Sequence, residues 1–94
     1  YYAGVDVAEY LRRVPLPVVE VHLHDNQGVS DQHGYFGMGT VRFDLVAQAL
    51  KHIGFAGVST IEIAPRMHGA DPDRSKHHAA AALRQWRELW EGAT

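Results

Sequence analysis

The chain has 94 residues, 46% of them hydrophobic and 21% charged, with a formal net charge of -2. That is the composition of one small folded domain, with no general attraction to nucleic acid or to an acidic membrane. There is no cysteine, which excludes disulfides and thiolate metal sites and fits a reducing, cytoplasmic compartment; nor is there an apolar run near the roughly 20 residues of a membrane span, or a signal peptide.

The opening residue is Tyr1 rather than Met, and YYAGVDVAEYLRRV reads as a loop entering a helix. The chain is therefore expected to be a fragment, a single partial domain over residues 1–94. Asp6 is placed to cap a helix to about Val14, with Val7, Tyr10, Leu11 and Val14 recurring at three- and four-residue steps. Pro15 and Pro17 stop it. Val18 to His24 follows as a strand, whose alternation puts Val19, Val21 and Leu23 on one face and Glu20, His22 and His24 on the other. Asp25 to Thr40 is a polar loop with four glycines. The next helix runs from about Phe43 to Ile53, burying Phe43, Val46, Ala47, Leu50 and Ile53, with Gly54 at its end. Val58 to Ala64 repeats the strand pattern, Ile61 and Ile63 opposing Thr60 and Glu62, before Pro65. Asp71, Pro72 and Asp73 open a last helix to about Glu91, with Ala79, Leu83, Trp86 and Trp90 as its stripe.

Strands alternating with helices imply an α/β fold with parallel strands and crossover connections. A central strand of an open doubly wound sheet is apolar on both faces. Here each strand keeps one face of Glu, His or Thr, which suits the inside of a barrel with its chemistry at the C-terminal strand ends. The expected fold is therefore the C-terminal part of a (β/α)8 barrel, its last two strands and their helices.

Those polar faces carry the chemistry. His22 and His24 lie about 6.5 to 7 Å apart along one strand. Glu62 is expected at the equivalent height on the next, where its carboxylate can share a cation with His22. Imidazole nitrogen with carboxylate oxygen suits zinc, manganese, cobalt or iron, and magnesium where carboxylates dominate. The plain alternative is a hydrogen-bonded strand histidine, against which stands the cost of a buried carboxylate without a cation or donors. Asp31 and His33 form an Asp-x-His pair on the loop, read either as ligands folded toward one ion or substrate hydroxyl, or as an Asx-turn aspartate beside a solvated histidine. Gly34, Gly37 and Gly39 (GYFGMG) lack the Lys-Ser/Thr of a nucleotide loop and read as backbone flexibility near a substrate. His77 and His78 read as solvated.

His22-Leu23-His24-Asp25-Asn26, Asp31-Gln32-His33, Gly37-Met38-Gly39 leading to Phe43, Gly54-Phe55-Ala56-Gly57 and Ile61-Glu62-Ile63 together resemble the C-terminal part of the xylose isomerase-like TIM barrels. These include sugar phosphate isomerases and epimerases and the endonuclease IV-type AP endonucleases; the resemblance runs from about residue 18 to 64. It implies that His22, in a His-x-x-Asp motif with Asp25, and Glu62 bind a divalent cation, with His24 a rival for the histidine role. The Asp31/His33 pair resembles the one that holds an additional zinc in the AP endonucleases, and similar pairs occur in isomerase-like members.

The implied activity is that of a metal-dependent sugar or sugar-phosphate isomerase or epimerase acting through an enediolate, with Mn, Mg, Co or Zn as cofactor. Glu62 would be a ligand and a proton-transfer base, and Asp25 would orient His22. Asp31, His33, Gly37 and Gly39 would face substrate or a further metal. The alternatives are a zinc-dependent AP endonuclease, which the near-neutral charge disfavours, and a catalytically inactive fragment. The chain offers two or three of the usual four ligands, so the implied partners are a sugar or sugar phosphate and either the remainder of a barrel or further copies of itself.

Overall fold

A computed structural model describes residues 6–15, 17–28, 33–63 and 71–93. Five elements follow in order: α1 (Val7–Arg13), β1 (Glu20–Leu23), α2 (Phe43–His52), β2 (Val58–Ile61) and α3 (Pro72–Gly92). Their order and approximate bounds are those the caps, prolines and apolar periods predict. Pro65, expected to close β2, lies outside the described residues.

Asp6 caps α1, its carboxylate accepting the Glu9 amide at 3.2 Å. The expected apolar stripe of α1 is not buried: Val7 is 45% and Tyr10 61% exposed, and Leu11 is the residue that packs against the core. A helix of seven residues lying against α2 at the rim has too little cover to bury two full turns.

The strands pair directly and in parallel, Glu20 with Val58, Val21 with Ser59, His22 with Thr60 and Leu23 with Ile61, with α2 lying between them in the chain. One more ladder bond runs from the Glu62 amide to the Leu23 carbonyl at 2.9 Å. Val21, Leu23 and Ile61 turn toward the core, while Glu20 and His22 are exposed. Val19, expected on the oily face, is 74% exposed because it precedes the paired segment.

The expectation of a barrel portion is overturned. The described residues form a small α/β domain, three helices on a two-stranded parallel sheet. Closure needs a continuous ring of eight strands, each paired on both edges, and β1 and β2 pair with each other alone among the described residues. The alternation that suggested a barrel interior has a simpler origin: one face of this pair is covered by helices and the other is wet.

The core is built by α2. Phe43, Val46, Ala47, Ala49 and Leu50 are buried, Ala47, Ala49 and Leu50 completely, and Ile53 packs at their margin. Around them close Leu23, Phe55 and Trp86. Gly54 ends the helix where predicted, its amide donating to the Lys51 carbonyl at 3.1 Å.

α3 is capped by Asp71, which accepts the amides of Asp73 and Arg74, with Pro72 in the first turn. Its 21 residues extend about 31 Å, well beyond two four-residue strands, so its N-terminal half has little to cover. Ala79 of the expected stripe is accordingly exposed, and Leu83 is exposed because the inward face runs through its neighbour Ala82 and on to Trp86. The residues that reach the core are Ala82, Trp86, Leu89, Trp90 and Ala93. Phe55 meets Trp90 edge to face at 6.1 Å, and the Lys51 ammonium sits 4.3 Å from the Trp90 ring. Among the described residues no helix is long and apolar enough to cross a membrane.

Candidate functional site

The wet face of the strand pair gathers titratable groups at its C-terminal end. The His22 side chain rises from β1 with Nδ1 2.7 Å from Glu62 Oε2 and Nε2 3.0 Å from Glu20 Oε1. On the other Glu62 oxygen, His33 Nδ1 approaches to 2.9 Å. His24 stacks on His33, ring centroids 4.0 Å apart at 14°. Strand alternation explains the grouping, since Glu20, His22 and His24 share a face. Glu62 does not lie level with His22 as expected; the register places Thr60 there, and Glu62 reaches back diagonally from one step beyond the Leu23–Ile61 pair.

Both His22 ring nitrogens face carboxylate oxygens, and two donating nitrogens describe the charged imidazolium. The His22 pKa is accordingly raised above its ordinary 6.5, chiefly by the hydrogen bond to Glu62 and then by that to Glu20. Glu62 is lowered below its ordinary 4.5, first by the hydrogen bond to His22. Both side chains remain accessible, His22 50% and Glu62 44% exposed, so the cluster is open to a solute.

Imidazole and carboxylate donors suit a borderline divalent cation, and here His22 and Glu62 are hydrogen-bonded to each other, so a cation between them would replace that contact. Among the described residues no three His, Asp or Glu side chains surround a point that would hold a metal ion. His22 and Glu62 therefore form at most half of a cation site. Asp31 lies outside the described residues.

Asp25 is not arranged to orient His22. Its side chain is buried, and its two oxygens accept four backbone amides: Asn26 at 2.9 Å and Val41 at 3.0 Å on Oδ1, Gly37 at 2.9 Å and Gly39 at 3.1 Å on Oδ2. Its own amide and carbonyl exchange hydrogen bonds with Gly34 at 2.9 and 2.7 Å. Gly37 and Gly39, read as flexible backbone, are instead fixed points. Gly37 takes a φ of 97°, and a Cβ on Gly39 would land on the Asn26 carbonyl. Phe36 stacks on Phe43 at 3.8 Å and Tyr35 on His78 at 4.1 Å, tying the loop to α2 and α3. His78, read as solvated, thus has an aromatic partner, one that spacing along α3 cannot reveal.

Beside the cluster a cleft of about 470 Å³ opens between the start of α1, the end of β1 and the start of α2. His22, His24 and Asn26 form its polar end and Phe43 and Val46 its apolar wall. Arg42 stands at the entrance to α2, forked onto Asp44 at 3.0 and 2.7 Å, which holds the Asp44 pKa low. Glu20, expected on the same face as His22 but given no role there, is the residue that adds to the cluster. Its signal was available, since residues two apart on a strand share a face.

No family model matches the chain, and no solved structure matches it. Over 57 residues, 61% of the chain, it is 39% identical to an uncharacterized protein of Methanocaldococcus jannaschii. That stretch covers 20% of the relative, so the chain spans about a fifth of the length of the curated relative it matches.

Proposed function

We propose that the chain contributes part of the site of a cytoplasmic, metal-dependent sugar or sugar-phosphate isomerase or epimerase. One observation carries this reading: an exposed, ionised Glu62 carboxylate flanked on both oxygens by histidine nitrogens. Such a carboxylate can take a proton from the carbon beside a sugar carbonyl, leaving an enediolate, and return it to the same or the neighbouring carbon. His22 keeps Glu62 ionised and holds its orientation through the 2.7 Å contact. Glu20 holds the far side of the His22 ring. The adjoining cleft has room for a small sugar, with His24 and Asn26 at its polar end.

A divalent cation, when bound, supplies polarisation of the substrate carbonyl. His22 and Glu62 would hold it together with donors from further chain or a second copy, since two ligands fall short of the usual four. His22 must then give up a proton, which makes cation affinity rise with pH.

The test is exchange at the carbon beside the carbonyl. Ketoses and ketose phosphates are incubated with the protein in D2O, with and without Mn2+ or Zn2+, and followed by NMR. Metal-stimulated deuterium incorporation that Glu62→Gln removes is the expected result. Absence of both cation binding by calorimetry and exchange would overturn the reading.

A further inference from the structure

We propose that Asp25 is the positioning residue of this site: it sets the loop that presents His33 to Glu62, and does so through backbone amides rather than through contact with the histidines. The inference rests on the reading of the His22, His33 and Glu62 cluster as a site, and it concerns how that cluster is assembled.

The loop follows β1, which ends at Leu23, and returns into α2 at Phe43. Its two limbs meet at one buried carboxylate. On the outgoing side, the paired hydrogen bonds between Asp25 and Gly34 fix the residue next to His33. On the returning side, Gly37, Gly39 and Val41 all donate to the Asp25 carboxylate, and the Thr40 amide donates to the Asn26 carbonyl at 2.8 Å. A buried carboxylate without donors is costly, so the loop geometry that supplies four amides is strongly preferred over one that supplies fewer.

His33 shows what this frame holds in place. Its φ is 51°, in the left-handed region that a residue with a side chain seldom adopts. Such a conformation persists where the surroundings over-determine it. Here the Asp25–Gly34 pair lies on one side of it, and the Glu62 contact and the His24 ring on the other. The return limb has no slack either. A Cβ on Gly39 would meet the Asn26 carbonyl, and on the other limb one on Gly34 would meet the Asp25 carbonyl and the Met38 side chain, so the loop packs against its own backbone.

The arrangement separates two jobs that the His-x-x-Asp spacing suggests are one. His22 acts toward Glu62 and Glu20 on the wet face. Three residues on, Asp25 is buried and acts on the loop.

Asp25→Asn tests the proposal, because the amide keeps the shape but turns an NH2 group toward backbone donors. NMR reads the outcome on the whole chain. The expected result is loss of the His24–His33 ring NOE and an upfield move of the Gly37, Gly39 and Val41 amides, while the Ala47 and Leu50 methyl signals of the core stay in place. Persistence of the ring NOE with an intact core would overturn the proposal. If the variant fails to fold, hydrogen exchange in the unaltered protein decides. The amides of Gly34, Gly37, Gly39 and Val41 should open as one unit, with protection factors agreeing within about threefold. Protection factors spread over orders of magnitude would overturn it. A protein that shows neither cation binding nor exchange chemistry refutes the proposed function, yet leaves these loop readouts unchanged.

Discussion

At the residue scale, the His22–Glu62 contact gives the domain a pH signature. The folded pKa of His22 lies above 6.5, so its stabilising contribution is full below 6.5 and disappears as pH rises through the raised value. That of Glu62 lies below 4.5, so its contribution is full above 4.5 and disappears as pH falls through the lowered value. The two overlap between about 4.5 and 6.5, where thermal unfolding should show its plateau from this pair. His22→Gln should flatten the alkaline limb in a pH series of melting temperatures. Because both groups are exposed, the effect is modest and shrinks with added salt. Glu62→Gln, followed by imidazole NMR titration, should bring the His22 pKa down while Glu20, at 3.0 Å, keeps it above the ordinary value. An unmoved titration curve would remove Glu62 as the main cause.

Elements were the most legible level. Asp6 and Asp71 as caps, Pro15 as a stop and the three-to-four spacing in α2 are local signals, and local chemistry sets where helices begin and end. Which face becomes buried depends on what lies across from it, and the chain order does not state that. α2 meets the sheet side and α3, so its stripe is buried as read. α1 meets α2 alone among the elements, and the face of α3 that meets the core runs through Ala82 and Trp86 rather than Leu83, so Tyr10 and Leu83 stay wet. That His22 and Glu62 both face the wet side was readable from strand alternation, whereas their diagonal register was not. The carboxylate frame around Asp25 was not, because it is assembled from backbone amides that leave no trace in side-chain type. Leu50→Ala, at a position with no exposed surface, should cost about 2–5 kcal/mol in denaturant unfolding. Leu83→Ala, 43% exposed, should stay within about 0.5 kcal/mol. Equal costs would mean that the core is not where these contacts place it.

For the whole molecule, the polar strand face misled about architecture for an instructive reason. Alternation records that a face is wet, and an uncovered sheet and a lined interior write the same pattern. The outer edges of β1 and β2, unpaired among the described residues, offer main-chain hydrogen bonds to another strand, and Val19 and Val58 stand exposed near their starts. Concentration-dependent self-association is therefore expected in sizing chromatography with light scattering. Val19→Lys with Val58→Lys should shift it toward the 10.5 kDa monomer. A single 10.5 kDa mass across the concentration series would rule the edges out as contact surfaces.

The placement of the two tryptophans governs what optical experiments can see. Trp86 and Trp90 both belong to the C-terminal half of α3, 6.1 Å apart, with Lys51 of α2 over the second ring. Intrinsic fluorescence therefore reports the joint between α2 and α3. Events confined to the histidine cluster leave it silent, and a change in emission during a ligand titration is a sign that the helices themselves have shifted.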